Sequence, residues 1–138
     1  MKKYLLWIIL FSFISMQCFA EESQYQLMIN AKLKNTKYPI LEQNGQVFLA
    51  LEDVVQLLEG EYTLHKNVKD RAYSVTTNGA YSYFAENHLF AIVHNKVTQL
   101  QASPFFDGSQ LYLPVSVCAK LTGHYLIKSK SYLQFFKW

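Results

Sequence analysis

Leu51-Glu-Asp-Val54-Val55-Gln-Leu57-Leu58-Glu-Gly60-Glu-Tyr62-Thr-Leu64 lies over Pro114-Val-Ser-Val117-Cys118-Ala-Lys-Leu121-Thr-Gly123-His-Tyr125-Leu-Ile127 with a constant shift of 63 residues. Self-similarity of this kind is the mark of a repeated unit. Positions 51, 54, 55 and 58 are apolar at helical spacing, as are 114, 117, 118 and 121. Each stretch therefore predicts a short amphipathic helix with one buried face. Gly60 and Gly123 stand where a helix ends in a left-handed residue. Tyr62-Thr-Leu64 and Tyr125-Leu-Ile127 follow as strands, each expected to place its first and third side chains on one face.

Outward from these stretches, Asn44-Gly45 and Asp107-Gly108 are turn dipeptides at the same shift. Each leads into a short apolar strand, Val47-Phe48-Leu49 or Leu111-Tyr112-Leu113, that enters its helix. After the first helix, Asn67 to Asp70 turns the chain into Ala72 to Thr77, and Asn78-Gly79 turns it again into Ala80 to Ala85. His88 to Val93 and Val97 to Leu100 continue the meander, and Ser129-Lys130 separates Tyr125–Lys128 from Tyr132–Phe136. The expected class is α+β: a mainly antiparallel twisted sheet packed on two short helices, with an internally duplicated strand-strand-helix-strand-strand unit. The half-repeats span about residues 26–77 and 88–136. No Pro/Gly/Ser linker divides them, so they are expected to share one core.

The chain has 138 residues, of which 51% are hydrophobic, 16% aromatic and 17% charged. This excludes a disordered chain, and the length predicts one domain. Lys2-Lys3, the apolar run Tyr4 to Met16 and Gln17-Cys18-Phe19-Ala20 read as a secretory signal peptide over residues 1–20, cleaved after Ala20. The apolar run, about 13 residues, is shorter than the roughly 20 that a membrane span requires. A lipid-modified Cys18 is the alternative, but Gln17 is too large just before such a site. Residues 21–138 remain as a single domain, expected to be secreted or periplasmic. Losing Lys2 and Lys3 lowers the formal charge from +3 to +1, so no nucleic-acid partner is expected. Cys118 is then the lone thiol and no intrachain disulfide can form. Its counterpart at the shift of 63 is Val55, which predicts a buried core cysteine instead of a reactive one.

The second half, from Phe90-Ala-Ile-Val-His-Asn95-Lys through Pro104, Asp107-Gly108 and Leu111-Tyr-Leu-Pro114 to Leu121-Thr-Gly123, resembles the copper amine oxidase-like N-terminal domain family. That family shows an apolar strand ending near Asn-Gly-Lys, a Gly turn, a Val-Pro-Leu-like passage into a short helix, and a Leu-Gly helix ending. The resemblance covers most of residues 26–136. It implies an antiparallel sheet wrapped on a helix, used as an accessory or stalk module in exported and cell-envelope proteins. It implies no copper site, because the metal and quinone chemistry of amine oxidases lies in a separate catalytic domain. Three departures stand out: Ala50 where the second half has Pro114, no Trp-Asp pair after the Leu-Gly ending, and Lys96 instead of Gly after Asn95.

The residues offer little for catalysis. His88 and His94 fall in one expected strand, six residues apart, a separation of about 20 Å that one ion cannot bridge. His65 and His124 lack the spacing of a ligand pair, so no metal and no cofactor is expected. Glu52-Asp53 is expected to serve the positive end of the first helix, and Glu59-Gly-Glu61 to be solvated. No nucleophile elbow, phosphate loop or Ser-x-x-Lys set occurs in the mature chain. No catalytic residue and no enzyme activity are expected, a small hydrolase being the least favoured reading.

Aromatic residues are the remaining lead. A two-residue turn at Asn78-Gly79 pairs Thr77 with Ala80, Val75 with Ser82 and Tyr73 with Phe84 on the apolar face. Tyr81 and Tyr83 then stand on the opposite face beside Ser74 and Thr76, where their rings can stack on a glycan or press on a protein. Phe105 and Phe106 form a second candidate, one ring expected in the core and the other exposed. The C-terminal alternation Tyr132-Leu-Gln134-Phe-Phe136-Lys-Trp138 resembles the closing strand of an outer-membrane barrel, but strands of about six residues are shorter than the 9 to 11 needed. Trp138 is expected to cap the sheet edge. The expected function is that of an exported, non-catalytic accessory domain of the cell envelope. It would present a sheet face or loop to an envelope protein or a peptidoglycan-type glycan, with an inhibitor or subunit of an exported enzyme as the alternative.

Overall fold

The structure, a computed structural model, describes residues 20–137. The expected signal peptide up to Phe19 and the capping role of Trp138 lie outside the described residues.

Two tight hairpins form the centre. β4 (Leu41–Gln43) turns into β5 (Gln46–Ala50), which runs directly into α1 (Leu51–Val55). β11 (Phe105–Asp107) turns into β12 (Gln110–Pro114), which runs into α2 (Val115–Thr122). β5 and β12 pair antiparallel, and with β1 (Glu21–Glu22) they make a five-stranded sheet in the order β1-β4-β5-β12-β11. Asn44 and Gly45, at φ 51° and 77°, supply the positive backbone angles that a two-residue hairpin turn requires.

The hairpins and helix starts correspond at a shift one residue longer than 63, since Gln46 and Leu51 match Gln110 and Val115. Gly60 and Gly123 keep the shift of 63, but while Gly123 ends α2 as expected, α1 closes at a right-handed Gln56, four residues before Gly60. The difference in shift matters because side chains alternate along a strand, and a one-residue slip would exchange its faces. In the observed register Val47 and Leu49 share the main core with Leu111 and Leu113, whereas Phe48 and Tyr112 fill a second cluster on the other side of the sheet. At the shift of the hairpins Cys118 falls on Val54, and at the shift of the glycines on Val55. Val54, Val55 and Cys118 are all buried in the main core.

α1 is shorter than its apolar spacing suggests. It closes at Gln56, and Leu57 and Leu58 continue as a turn on the carbonyls of Val54 and Val55. Two consecutive β-branched residues give this segment weak helical preference. α2 runs to a left-handed Gly123 at φ 73°, where the His124 N–H closes on the Ala119 carbonyl at 2.8 Å.

The second sheet is a meander of β6 (Tyr62–Asn67), β7 (Ala72–Thr77), β8 (Ala80–Ala85), β9 (Phe90–Val93) and β10 (Lys96–Gln99) in the order β10-β9-β8-β7-β6. The β7–β8 register pairs Tyr73 with Phe84, Val75 with Ser82 and Thr77 with Ala80, as the Asn78-Gly79 turn predicts. His88 and His94 do not share a strand. His88 precedes β9, and His94 forms the β9–β10 turn with Asn95, both at positive φ.

The third sheet joins the two ends of the described chain. β2 (Gln26–Ile29), β3 (Lys32–Lys34), β13 (Tyr125–Lys128) and β14 (Tyr132–Phe136) lie in the order β13-β14-β2-β3. β14 and β2 run parallel, the one departure from antiparallel pairing among the described strands. In β13 Tyr125 and Ile127 share one face, as expected, and that face is the exposed one; Leu126 packs on the core opposite the fully buried Phe135. The register with β14 forces this, since Leu133 and Phe135 bring the inner side of that strand to the interior.

One apolar cluster takes residues from all three sheets and both helices, including Leu27, Leu49, Val54, Val75, Phe84, Leu113, Leu121 and Phe135. Burial at this scale is the main source of stability for a domain whose single described cysteine is unpaired. Polar contacts fix the layers. Asp53 accepts the backbone N–H groups of Lys37 and Tyr38 at 2.8 and 3.1 Å, and Glu52 accepts the Tyr38 hydroxyl at 3.0 Å and pairs with Lys66. The acidic pair therefore anchors the segment before β4, a tertiary role beyond the helix-end role expected of it.

Candidate functional site

The candidate site is the outer face of the meander sheet, and its residues follow from pairing alone. His65 lies opposite Ser74, Ser74 opposite Tyr83, Tyr83 opposite Ile92, and Ile92 opposite Val97. Directly paired residues point to the same side, so this row crosses all five strands. The neighbouring row brings Thr63, Thr76 and Tyr81 together. Alternation along β9 adds Phe90. The opposite face of the same strands carries Tyr73, Val75, Phe84, Ala91 and Val93 into the core.

Tyr81 and Tyr83 therefore stand together on the outer side, as the hairpin predicts. Tyr81 is 40% exposed and Tyr83 half-buried, while Phe90 and Val97 are 61% and 78% exposed. None of the outward residues in either row carries a carboxylate or an ammonium group. The face is graded: hydroxyl and imidazole groups on β6 and β7, then aromatic and aliphatic groups on β8 to β10.

Asn95 makes this platform rigid beside Tyr81. Its side-chain oxygen accepts the Tyr81 N–H at 2.9 Å, and its own N–H donates to the Tyr81 carbonyl at 2.8 Å. The adjacent His94 N–H donates to Ser82 Oγ at 3.0 Å, and His94 Nε2 meets the Leu121 carbonyl at 2.9 Å. Asparagine tolerates the left-handed backbone angle of 68° that puts it there. The β9–β10 turn thus ties the outer face to α2 in the interior.

Phe105 and Phe106 belong elsewhere, and neither is an open ring. Phe105 meets Phe48 edge-on at 4.7 Å and stacks on Tyr112 at 5.5 Å. Phe106 meets Tyr73 edge-on at 5.4 Å and lies 4.4 Å under the Arg71 guanidinium. Adjacent residues on a strand face opposite ways, so the pair divides between the two clusters, and both rings are half-buried. Sequence reasoning missed Phe90, Ile92 and Val97. The two-residue His94-Asn95 turn pairs Ile92 with Val97, but the Tyr83–Ile92 register across β8 and β9 carries no such turn signal.

The ionisable groups are in structural settings. Burial pushes the Cys118 thiol up, and its sulfur contacts the Leu113 carbonyl at 3.6 Å. Burial, followed by the charge of Asp107, pushes the Tyr112 phenol up to about 12, and its hydroxyl donates to the Pro39 carbonyl at 2.9 Å. Among the described residues, no group of three or more His, Cys, Asp or Glu is placed to hold a metal ion. No described helix is long and apolar enough to cross a membrane. The chain matches no protein-family model, no curated protein and no solved structure.

Proposed function

We propose that this chain is an exported, non-catalytic accessory domain whose binding surface is the outer face of the meander sheet. The observation that carries this reading is the row Ser74, Tyr83, Ile92 and Val97 with Tyr81 beside it, an uncharged aromatic face with a hydroxyl-bearing flank. A neutral cell-wall glycan is the ligand class that fits: sugar rings stack on tyrosines, and sugar hydroxyls find partners in Ser, Thr and His. Retention of the purified protein on insoluble peptidoglycan tests this directly. Wild type should be retained and a Tyr81→Ala/Tyr83→Ala variant released; passage of wild type through the matrix removes the glycan reading.

Docking on an envelope protein, as a subunit or as an inhibitor of an exported enzyme, is the second reading. The exposure of Phe90 and Val97 favours it, because large apolar groups open to water mark protein interfaces. Kinship with the copper amine oxidase-like N-terminal domains belongs to the same proposal, as does descent of the two hairpin–helix units from one copied half. Both rest on the matching order of hairpin, direct strand-to-helix junction and glycine near the helix end. The slip of one residue between hairpins and glycines, the earlier end of α1 and the opposite faces that β6 and β13 turn to the core are the changes that such a history would have to include.

A further inference from the structure

A hollow of about 310 Å³ opens beside β2, and none of the meander tyrosines lines it. Leu27 and Ile40, 3% and 7% exposed, supply its apolar base, and Tyr25, Lys34, Asn35 and Thr36 stand round it. The register of the terminal sheet accounts for this placement. Lys34 lies opposite Leu27, Leu27 opposite Leu133, and Leu133 opposite Lys128, so these four share the inner side of the sheet. Tyr25, two residues before Leu27, falls on the same side and packs on the main core. Lys128, on the opposite edge strand, holds the Tyr25 ring, its Nζ 5.4 Å from the centroid.

Charge selects the occupant. Lys34 is the one charged group lining the hollow. Among the described residues neither Lys34 nor Asn35 makes an ion pair, a ring contact or a side-chain hydrogen bond. Residues 23–41, which supply all of its lining, contain no Asp or Glu. An adjoining hollow of about 170 Å³ shares Lys34, Asn35 and Thr36 and is bordered by Asp53, whose carboxylate oxygens already accept the Lys37 and Tyr38 N–H groups. A neutral apolar molecule would cover the base without answering the ammonium group. A hydrated inorganic anion would answer the ammonium group without covering the base.

We propose that this hollow binds an organic carboxylate with a small apolar body, free or at the end of a peptide. The carboxylate meets Lys34 Nζ and accepts from the Asn35 amide, and the apolar body lies on Leu27 and Ile40 beside the Tyr25 ring. A charge-assisted contact fixes the orientation while apolar burial adds affinity. Ligand pockets of about 300 to 1,000 Å³ work in this way, apolar walls carrying a few placed polar groups.

Titration of isotope-labelled protein, followed by amide chemical shifts, tests the proposal with hydrocinnamate, its neutral amide and acetate as probes. Hydrocinnamate should give saturable shifts at Leu27, Lys34, Asn35, Thr36 and Ile40 with a Kd of about 1 mM or below. The neutral amide and acetate should each bind at least about tenfold more weakly, the first lacking the charge and the second the apolar body. Lys34→Gln should lose about tenfold and Lys34→Arg should keep most of the binding, with the rest of the amide spectrum unchanged as the sign of an intact fold. The peptide acetyl-Gly-Gly-Phe with a free carboxylate separates the sources: binding equal to that of hydrocinnamate assigns a peptide end, and much weaker binding assigns a free acid. Tyr81→Ala/Tyr83→Ala should bind hydrocinnamate like wild type, so failure at this hollow and failure of the glycan reading are distinguishable. Absence of saturable shifts overturns the proposal, as does equal binding of hydrocinnamate and either other probe, or binding that Lys34→Gln leaves unchanged.

Discussion

Leu49 lies directly opposite Leu113 where β5 meets β12, and both side chains are within 1% of complete burial. The pair sits at the junction of the two hairpin–helix units, so the interior is continuous across it. Leu113→Ala should destabilise the chain by about 2 to 5 kcal/mol, the usual cost of a truncated core leucine. Urea denaturation checks this, and a loss below about 1 kcal/mol would mean the junction is not packed as described.

Asp53 should be indispensable to the segment before β4. Its carboxylate is the acceptor for two backbone N–H groups, those of Lys37 and Tyr38. Asp53→Ala leaves both without that partner and should cost about 1 to 3 kcal/mol. Hydrogen exchange at the amides of Lys37 and Tyr38 should accelerate in the variant. Unchanged protection there would contradict the anchoring role.

His124 gives stability a pH dependence of definite sign. Burial, then the charge of Lys137, holds its imidazole below the ordinary value of 6.5, and its Nδ1 lies 2.8 Å from Thr122 Oγ1. As pH falls the unfolded chain takes up this proton first, so the contribution of His124 is intact above about 6.5 and declines as pH falls through the window below it. Urea midpoints measured between about pH 7.5 and 5.5 should fall in wild type and fall less steeply in His124→Gln. Equal slopes would contradict the assignment.

The Cys118 thiol should be inert while the chain is folded. It is fully buried, its pKa is raised by that burial, and it touches the Leu113 carbonyl. An aromatic disulfide reagent should react only at the rate of unfolding, and rapid reaction in native buffer would place the thiol at the surface.

The meander was the most legible part of the sequence. Asn78-Gly79 fixes a two-residue turn, and the turn fixes the register of every pair from Thr77–Ala80 to Tyr73–Phe84. The outer placement of Tyr81 and Tyr83 follows from it. The hairpin–helix units were legible as elements but not in register, because the glycines after the helices and the hairpins carry different shifts and a single offset cannot satisfy both. β13 shows the same limit: Tyr125-Leu-Ile127 offers an apolar side chain to either face, and only Phe135 on the partner strand decides that Leu126 goes in. Asp53 was read through its own helix because its partners, Lys37 and Tyr38, come from a loop that no local pattern links to it.

The central claim is that the uncharged outer face of the meander sheet is where a ligand binds. Titration of isotope-labelled protein with soluble peptidoglycan fragments, followed by amide chemical shifts, tests it most directly. The account predicts saturable shifts concentrated at Ser74, Thr76, Tyr81, Tyr83, Ile92 and Val97, and their loss in Tyr81→Ala/Tyr83→Ala. Shifts confined to another surface, or none at any concentration of fragment, would contradict it.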